Sequence, residues 1–209
     1  MSFRIENKLF ISPDNLGQFK EFLSKKLAKK IYNSRIIKSL YFDNLNLDMY
    51  NDSIEGSVPR KKIRIREYPN TDDNKYYLEV KTSSVEGRFK TREIIDKKKF
   101  DLIKDSGVLD TQYGTCLPNF YVTYEREYVM MDDVRISIDT NIIYTNYRNN
   151  FKFNDKKVIV ELKTSINKNL DDLSKTFPFQ KIRFSKYCNG IELLKKIKSP
   201  GCYSWGFFL

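Results

Sequence analysis

Residues 61–68 read "KKIRIREY", with Lys62, Arg64 and Arg66 alternating with Ile63 and Ile65. On an extended strand successive side chains point to opposite faces. The stretch therefore sets a row of cations on one side of a sheet and two isoleucines on the other. Working outward, the same phrase recurs along the chain. Arg4, Glu6 and Lys8 share a parity in "FRIENKLFI" (3–11), as do Glu79 and Lys81 in "KYYLEVKTS" (75–83). Arg88, Lys90 and Arg92 share one in "GRFKTREIID" (87–96), and Tyr124 and Arg126 do so in "NFYVTYEREYVMM" (119–131). Arg135, Ser137 and Asp139 alternate with apolar residues in "DVRISIDTNI" (133–142), and Glu161 and Lys163 in "KKVIVELKTS" (156–165).

Turn chemistry joins these segments. "PNTDDN" (69–74) connects two strands as a hairpin, and an Asp-Asp pair connects 119–131 to 133–142. With "SRIIKSLYFDN" (34–44), about eight antiparallel strands result. Eight strands suffice for a sheet to close around a narrow interior, and a flat open sheet is the alternative. An antiparallel sheet commonly has one wet face. That is the first reading of the alternation, and two features set an enclosed polar interior beside it. The charged face carries Arg, Lys and single Glu residues on nearly every strand. "YLEVKTS" and "VIVELKTS" place a carboxylate and an ammonium inside otherwise apolar segments, where isolated charges are costly.

Helices are expected at the start, with Asp14 as cap, at "KKKFDLIKDSG" (97–107) with Gly107 as its stop, and at the end of "QKIRFSKYCNGIELLKKI" (180–197) with Ser185 as cap. A polar connection is expected over 144–155, and a polar helix or loop around Asp171 and Asp172. The 209 residues read as one domain (1–209) whose apolar tail, 198–209, packs on, plugs or dimerises the sheet.

Lys and Arg number 38 against 27 Asp and Glu, a formal charge of +11, which favours anionic partners. Histidine is absent, which excludes His-based nucleophilic catalysis and His-ligated metals. Cys116, Cys188 and Cys202 have neither zinc nor disulfide spacing. No signal peptide and no membrane-length apolar run is evident, so a cytoplasmic protein without a membrane segment is expected.

The ordered set "RIENK", "SLYFDN", "KIRIREY", "YLEVK", "KTREII", "YEREY", "DVRISID", "VIVELKTS" and "RFSKYCNG" resembles the VTC domain, the catalytic domain of polyphosphate polymerases in the triphosphate tunnel metalloenzyme superfamily. The resemblance covers about residues 3–197. It implies an α+β fold: an eight-stranded antiparallel tunnel flanked by a few helices. It also implies a basic interior that takes ATP and inorganic polyphosphate, with one Mn²⁺ or Mg²⁺ and no nucleic acid. Lys8, Arg64, Arg66, Lys81, Arg126 and Arg135 match its catalytic cations. Arg183 and Lys186 match further phosphate-binding cations, and Tyr124 and Ser185 polar wall residues. Lys163 and Arg92 are further contacts. Glu161 matches the metal ligand, and Glu6 is placed to share the metal or orient Lys8. Related triphosphatases open with Glu-x-Glu-x-Lys, whereas here the first position is Arg4. Hydrolysis of a triphosphate on the same fold, and non-catalytic binding of polyphosphate or nucleic acid, are the competing expectations.

Overall fold

The computed structural model describes residues 4–71, 75–165, 175–177 and 179–198. The tail from 199 and the stretch around Asp171 and Asp172 lie outside the described residues. Ten strands form: β1 (Arg4–Ile11), β2 (Lys29–Asp43), β3 (Arg60–Glu67), β4 (Tyr76–Ser84), β5 (Gly87–Ile95), β6 (Val108–Asp110), β7 (Gly114–Met131), β8 (Val134–Asn146), β9 (Lys152–Asp155) and β10 (Val158–Ser165). Among the described residues these α-helices accompany them: α1 (Leu16–Lys25), α2 (Asp48–Glu55), α3 (Lys97–Ser106) and α4 (Lys186–Lys198).

Eight strands run in the antiparallel order β1-β10-β8-β7-β2-β3-β4-β5, while β6 and β9 pair with β7 and β8 as appendages. Laid flat, six strand spacings between β1 and β4 would separate them by about 29 Å. Yet Lys81 on β4 lies within the electrostatic reach of Glu6 on β1 and Glu161 on β10. The sheet is therefore strongly curled, with its cationic face inward. The curl stops short of the closed tunnel anticipated from the alternation. The described ladder ends at β1 and β5, and no strand pairing joins them.

The outward faces are apolar because the alternation that turns the cations in turns the aliphatics out. Leu9, Ile136, Ile138, Val160 and Leu162 pack on Phe19 and Leu23 of α1. Ile63 and Ile65 pack in the cluster that holds Met49 of α2 and Phe100 and Ile103 of α3, and Tyr76 stacks on Phe100 with centroids 4.3 Å apart.

Several local expectations are corrected. Asp14 sits inside a 3-10 turn (Pro13–Asn15) and caps nothing, because α1 starts later, after Asn15. The stretch 144–155 is a hairpin: Asn146 accepts amide hydrogens from Arg148 and Asn149, Asn150 adopts φ +56°, and β9 returns along β8. The short strand before α4 is reduced to one bridge, Lys181 to Leu9. Helix α2 was not anticipated, because its N-cap position is Leu47, which offers no side-chain cap, and the capping carboxylate stands at the strand end before it. The buried Asp43 carboxylate at the end of β2 accepts the Met49 and Tyr50 amides (3.1 and 3.2 Å) and the Tyr187 hydroxyl. Asp96 caps α3 through the Lys99 amide, and Gly107 ends it at φ +85° as anticipated.

Candidate functional site

Register places the inward residues in rows across the sheet. One row runs Tyr41, Arg64, Glu79, Arg92, and the next Lys62, Lys81, Lys90. On the opposite wall Lys8, Glu161 and Ser137 share a row, and Arg126 pairs with Asp139. Helix α4 begins across this interior and contributes Lys186 and Tyr187.

Two buried carboxylates, each about 1% exposed, organise the cations. Glu79 Oε2 accepts Nε and Nη2 of Arg64 (2.8 and 2.6 Å), its Oε1 accepts Lys90, and Arg92 Nε lies 3.6 Å away. Burial alone would raise the Glu79 carboxyl. The Arg64 and Arg66 guanidiniums outweigh burial and hold it at about 2. Asp139 accepts Arg126 through both oxygens (2.5 and 2.7 Å) and also accepts Lys186. Burial raises its carboxyl too, and Lys186 and Arg126 together bring it below the ordinary value.

Other cations have no carboxylate within 4 Å among the described residues. Arg66 donates to Ser39 Oγ (3.3 Å) and Tyr124 Oη (3.1 Å). Lys8 donates to the Phe184 carbonyl (2.7 Å), and Lys62 to Ser185 Oγ (2.9 Å). Lys81 faces the water of the interior, yet surrounding protein and Arg64 lower its ammonium to about 8. Burial likewise lowers Lys62 and Lys90. Tyr41, buried beside Arg64, shows the field of this face. Burial would raise its phenol, but Arg64 and Arg66 bring it down to about 8, and its oxygen accepts Arg64 Nη1 at 3.0 Å.

The two expected metal ligands lie together. Glu6 and Glu161 share a hydrogen bond: burial and Glu161 raise the Glu6 carboxyl, and Glu161 lies well below its ordinary value despite its burial. Lys163 is 2.9 Å from Glu161 and Arg126 3.8 Å. Two neighbouring carboxylates of this kind suit a divalent cation, which takes oxygen ligands. No group of three His, Cys, Asp or Glu residues suited to a metal occurs among the described residues. Glu6 and Glu161 are thus the two carboxylates that could hold one here.

The structure thus gathers Lys8, Arg64, Arg66, Lys81, Arg126, Tyr124, Lys163, Lys186, Glu6 and Glu161 on one inner surface. Ser185 borders it and caps α4 through the Cys188 amide (3.4 Å). Arg92 lies farther out, stacked 3.7 Å over Tyr77. Arg135 stands at the rim between the Tyr32 and Tyr128 rings. Arg183 donates to the Ser53 carbonyl of α2 at 3.0 Å. Sequence reasoning left out Asp139, Glu79 and Lys90 as site residues. The alternation exposed their parity, but only strand register shows which cation each carboxylate holds.

No helix among the described residues is long and apolar enough to cross a membrane. Among solved structures, the fold is similar to a candidate adenylate cyclase from Bacillus halodurans (TM-score 0.62, 13% identity, 90% of this chain and 96% of that one). It is also similar to a candidate adenylyl cyclase from Hippeastrum with a dominant triphosphatase activity (TM-score 0.58, 17% identity, 91% and 96%). At such identities the likeness concerns the fold alone. In sequence, the chain is 30% identical over 106 residues to vacuolar transporter chaperone complex subunit 4 of Schizosaccharomyces pombe, covering 43% of this chain and 15% of that relative's length. The profile of the VTC domain matches residues 3–195, nearly the whole chain, and the protein belongs to the VTC domain family.

Proposed function

We propose that the chain is a metal-dependent polyphosphate polymerase that moves the γ-phosphoryl group of ATP onto a growing polyphosphate chain. The observation that carries this reading is the inner face itself. Arg66, Lys8, Lys62 and Lys81 line it with no carboxylate partner among the described residues, while Glu79 and Asp139 fix the arginine forks beside them. Such a surface is unsatisfied until an anion with several charges in series enters.

Phosphoryl transfer asks the protein for position and charge neutralisation more than for covalent chemistry. Arg64, Arg66 and Arg126 present planar forks suited to phosphate oxygens, and Lys8, Lys81 and Lys186 supply point charges. A terminal oxygen of the acceptor chain forms the new bond to the γ-phosphorus. The bond from that phosphorus to the bridging oxygen breaks, and ADP leaves with the electron pair. The attacking oxygen is already anionic, so no side chain need remove a proton from it. Glu6 and Glu161 would hold the Mn²⁺ or Mg²⁺, which supplies Lewis-acid polarisation of phosphate oxygens.

Incubation of the purified chain with ATP and Mn²⁺ tests the proposal. Long polyphosphate and ADP are expected, with turnover lost on chelation and restored by Mn²⁺ or Mg²⁺. Orthophosphate alone would assign a triphosphatase instead, and tightly bound polyphosphate without turnover a binding protein.

A further inference from the structure

The sheet has a seam. Neither β1 nor β5 pairs with the other. The free side of β1 is taken by a short stretch before α4: the Phe10 amide donates to Gln180 (3.1 Å) and the Ile182 amide to Lys8 (2.9 Å). A cavity of about 210 Å³ opens there, between Glu6, Asn7 and Lys8 on one side, Arg88 of β5 on the other, and Lys181 and Arg183 along its floor. Arg88 shares the inward parity of Lys90 and Arg92, so it continues the cationic row to the sheet edge.

The charges at this seam are unevenly committed. Lys8 is spent on the Phe184 carbonyl and Arg183 on that of Ser53. Arg88 and Lys181 are exposed and meet no carboxylate within 4 Å among the described residues. Uncommitted donors of this kind fit an anion.

The start of α4 packs over the interior near the Lys62 row. Ser185 takes Lys62, Lys186 binds Asp139, and Tyr187 packs against Tyr41 and stacks on Phe120. Register sets Lys81 beside Lys90, two residues along β5 from Arg88, so the inner cations lead to the side where β1 and β5 part.

Building on the polymerase reading, we propose that this seam is a side port. It holds the distal, already formed part of a linear polyphosphate chain, with Arg88 and Lys181 as its contacts. A triphosphate is short enough to be satisfied by the inner cations alone. A long chain reaches the port.

The test compares tripolyphosphate with long-chain polyphosphate by titration calorimetry on the full chain, wild type against Arg88→Glu/Lys181→Glu, with Arg88→Gln/Lys181→Gln as the milder pair. Long-chain affinity should fall on the order of tenfold and its salt dependence should flatten, while tripolyphosphate affinity stays within about twofold. Products formed from ATP should shorten. Equal loss for both ligands, or no loss for either, overturns the port. So does the same loss with single-stranded RNA, which would make the seam an unselective polyanion surface. If the wild type itself has no preference for the long chain, the port falls, whereas the polymerase reading falls only if ATP and Mn²⁺ yield no polyphosphate. If it has that preference and the variants keep it, only the port falls.

Discussion

Replacing Glu79 with Gln removes a charge and almost no volume, so it isolates what the carboxylate does for the cations around it. Its carboxyl, held at about 2 against an ordinary 4.5, differs by roughly 2.5 pH units, each worth 1.36 kcal/mol. The native state at neutral pH therefore draws about 3 kcal/mol from this one ionisation. The sign follows from the direction. The unfolded chain takes up the proton first, so the stabilisation is complete above pH 4.5 and is lost as pH falls through about 2. Glu79→Gln should lower the unfolding free energy by about 3 kcal/mol in urea titrations at pH 7, a size expected when one partner of a buried ion pair is removed. At pH 3 the gap to wild type should shrink to about half or less. Arg64 would also lose the acceptor of its Nε and Nη2 fork, so kcat should drop on the order of 10²-fold. A variant as stable as wild type at pH 7, or a gap of the same size at pH 3, would refute the electrostatic account.

Further outcomes follow from other residues. Lys81, lowered to about 8 by burial and Arg64, is charged below that value and neutral above it. Tripolyphosphate affinity, read by calorimetry, should weaken as pH rises through 8, and Lys81→Arg should keep the affinity level to pH 9. Arg66→Lys cannot span Ser39 and Tyr124 with one point charge, and kcat for ATP should fall about 10²-fold with little change in thermal stability. Gly190→Ala would set a Cβ 2.2 Å from the Phe120 ring, and should cost about 1–3 kcal/mol in denaturant although Ala favours helix. A stabilised Gly190→Ala would show that α4 and β7 are less tightly apposed than described.

What could be read from the sequence was what depends on a period of two. The alternation in 61–68, in 75–83 and in 156–165 identified inward cations, because one parity of each strand is apolar and must be covered. The tight turns and the Gly107 stop were local, and so legible. The cap of α2 was not, since the carboxylate that makes it comes from Asp43 at a strand end and is shared with Tyr187, far along the chain. Nor was β9, a short and mostly exposed strand whose hairpin rests on asparagine turn bonds rather than on apolar alternation. The seam could not be foreseen either. Whether a curled sheet closes depends on the edges of its outer strands, and hydropathy carries no mark of that. At the site, residue types pointed to phosphate. The pairing of Asp139 with Arg126 and Lys186 emerged only from register.

The row Lys62, Lys81, Lys90 sets three ammonium groups on adjacent strands, where like charges oppose folding. Glu79 offsets part of that repulsion through Lys90, and a bound anion would offset more of it. A ligand bound only by the native state adds about 2.7 kcal/mol of stability at a hundred times its dissociation constant. Tripolyphosphate bound in this way would accordingly raise the thermal unfolding midpoint of the purified chain.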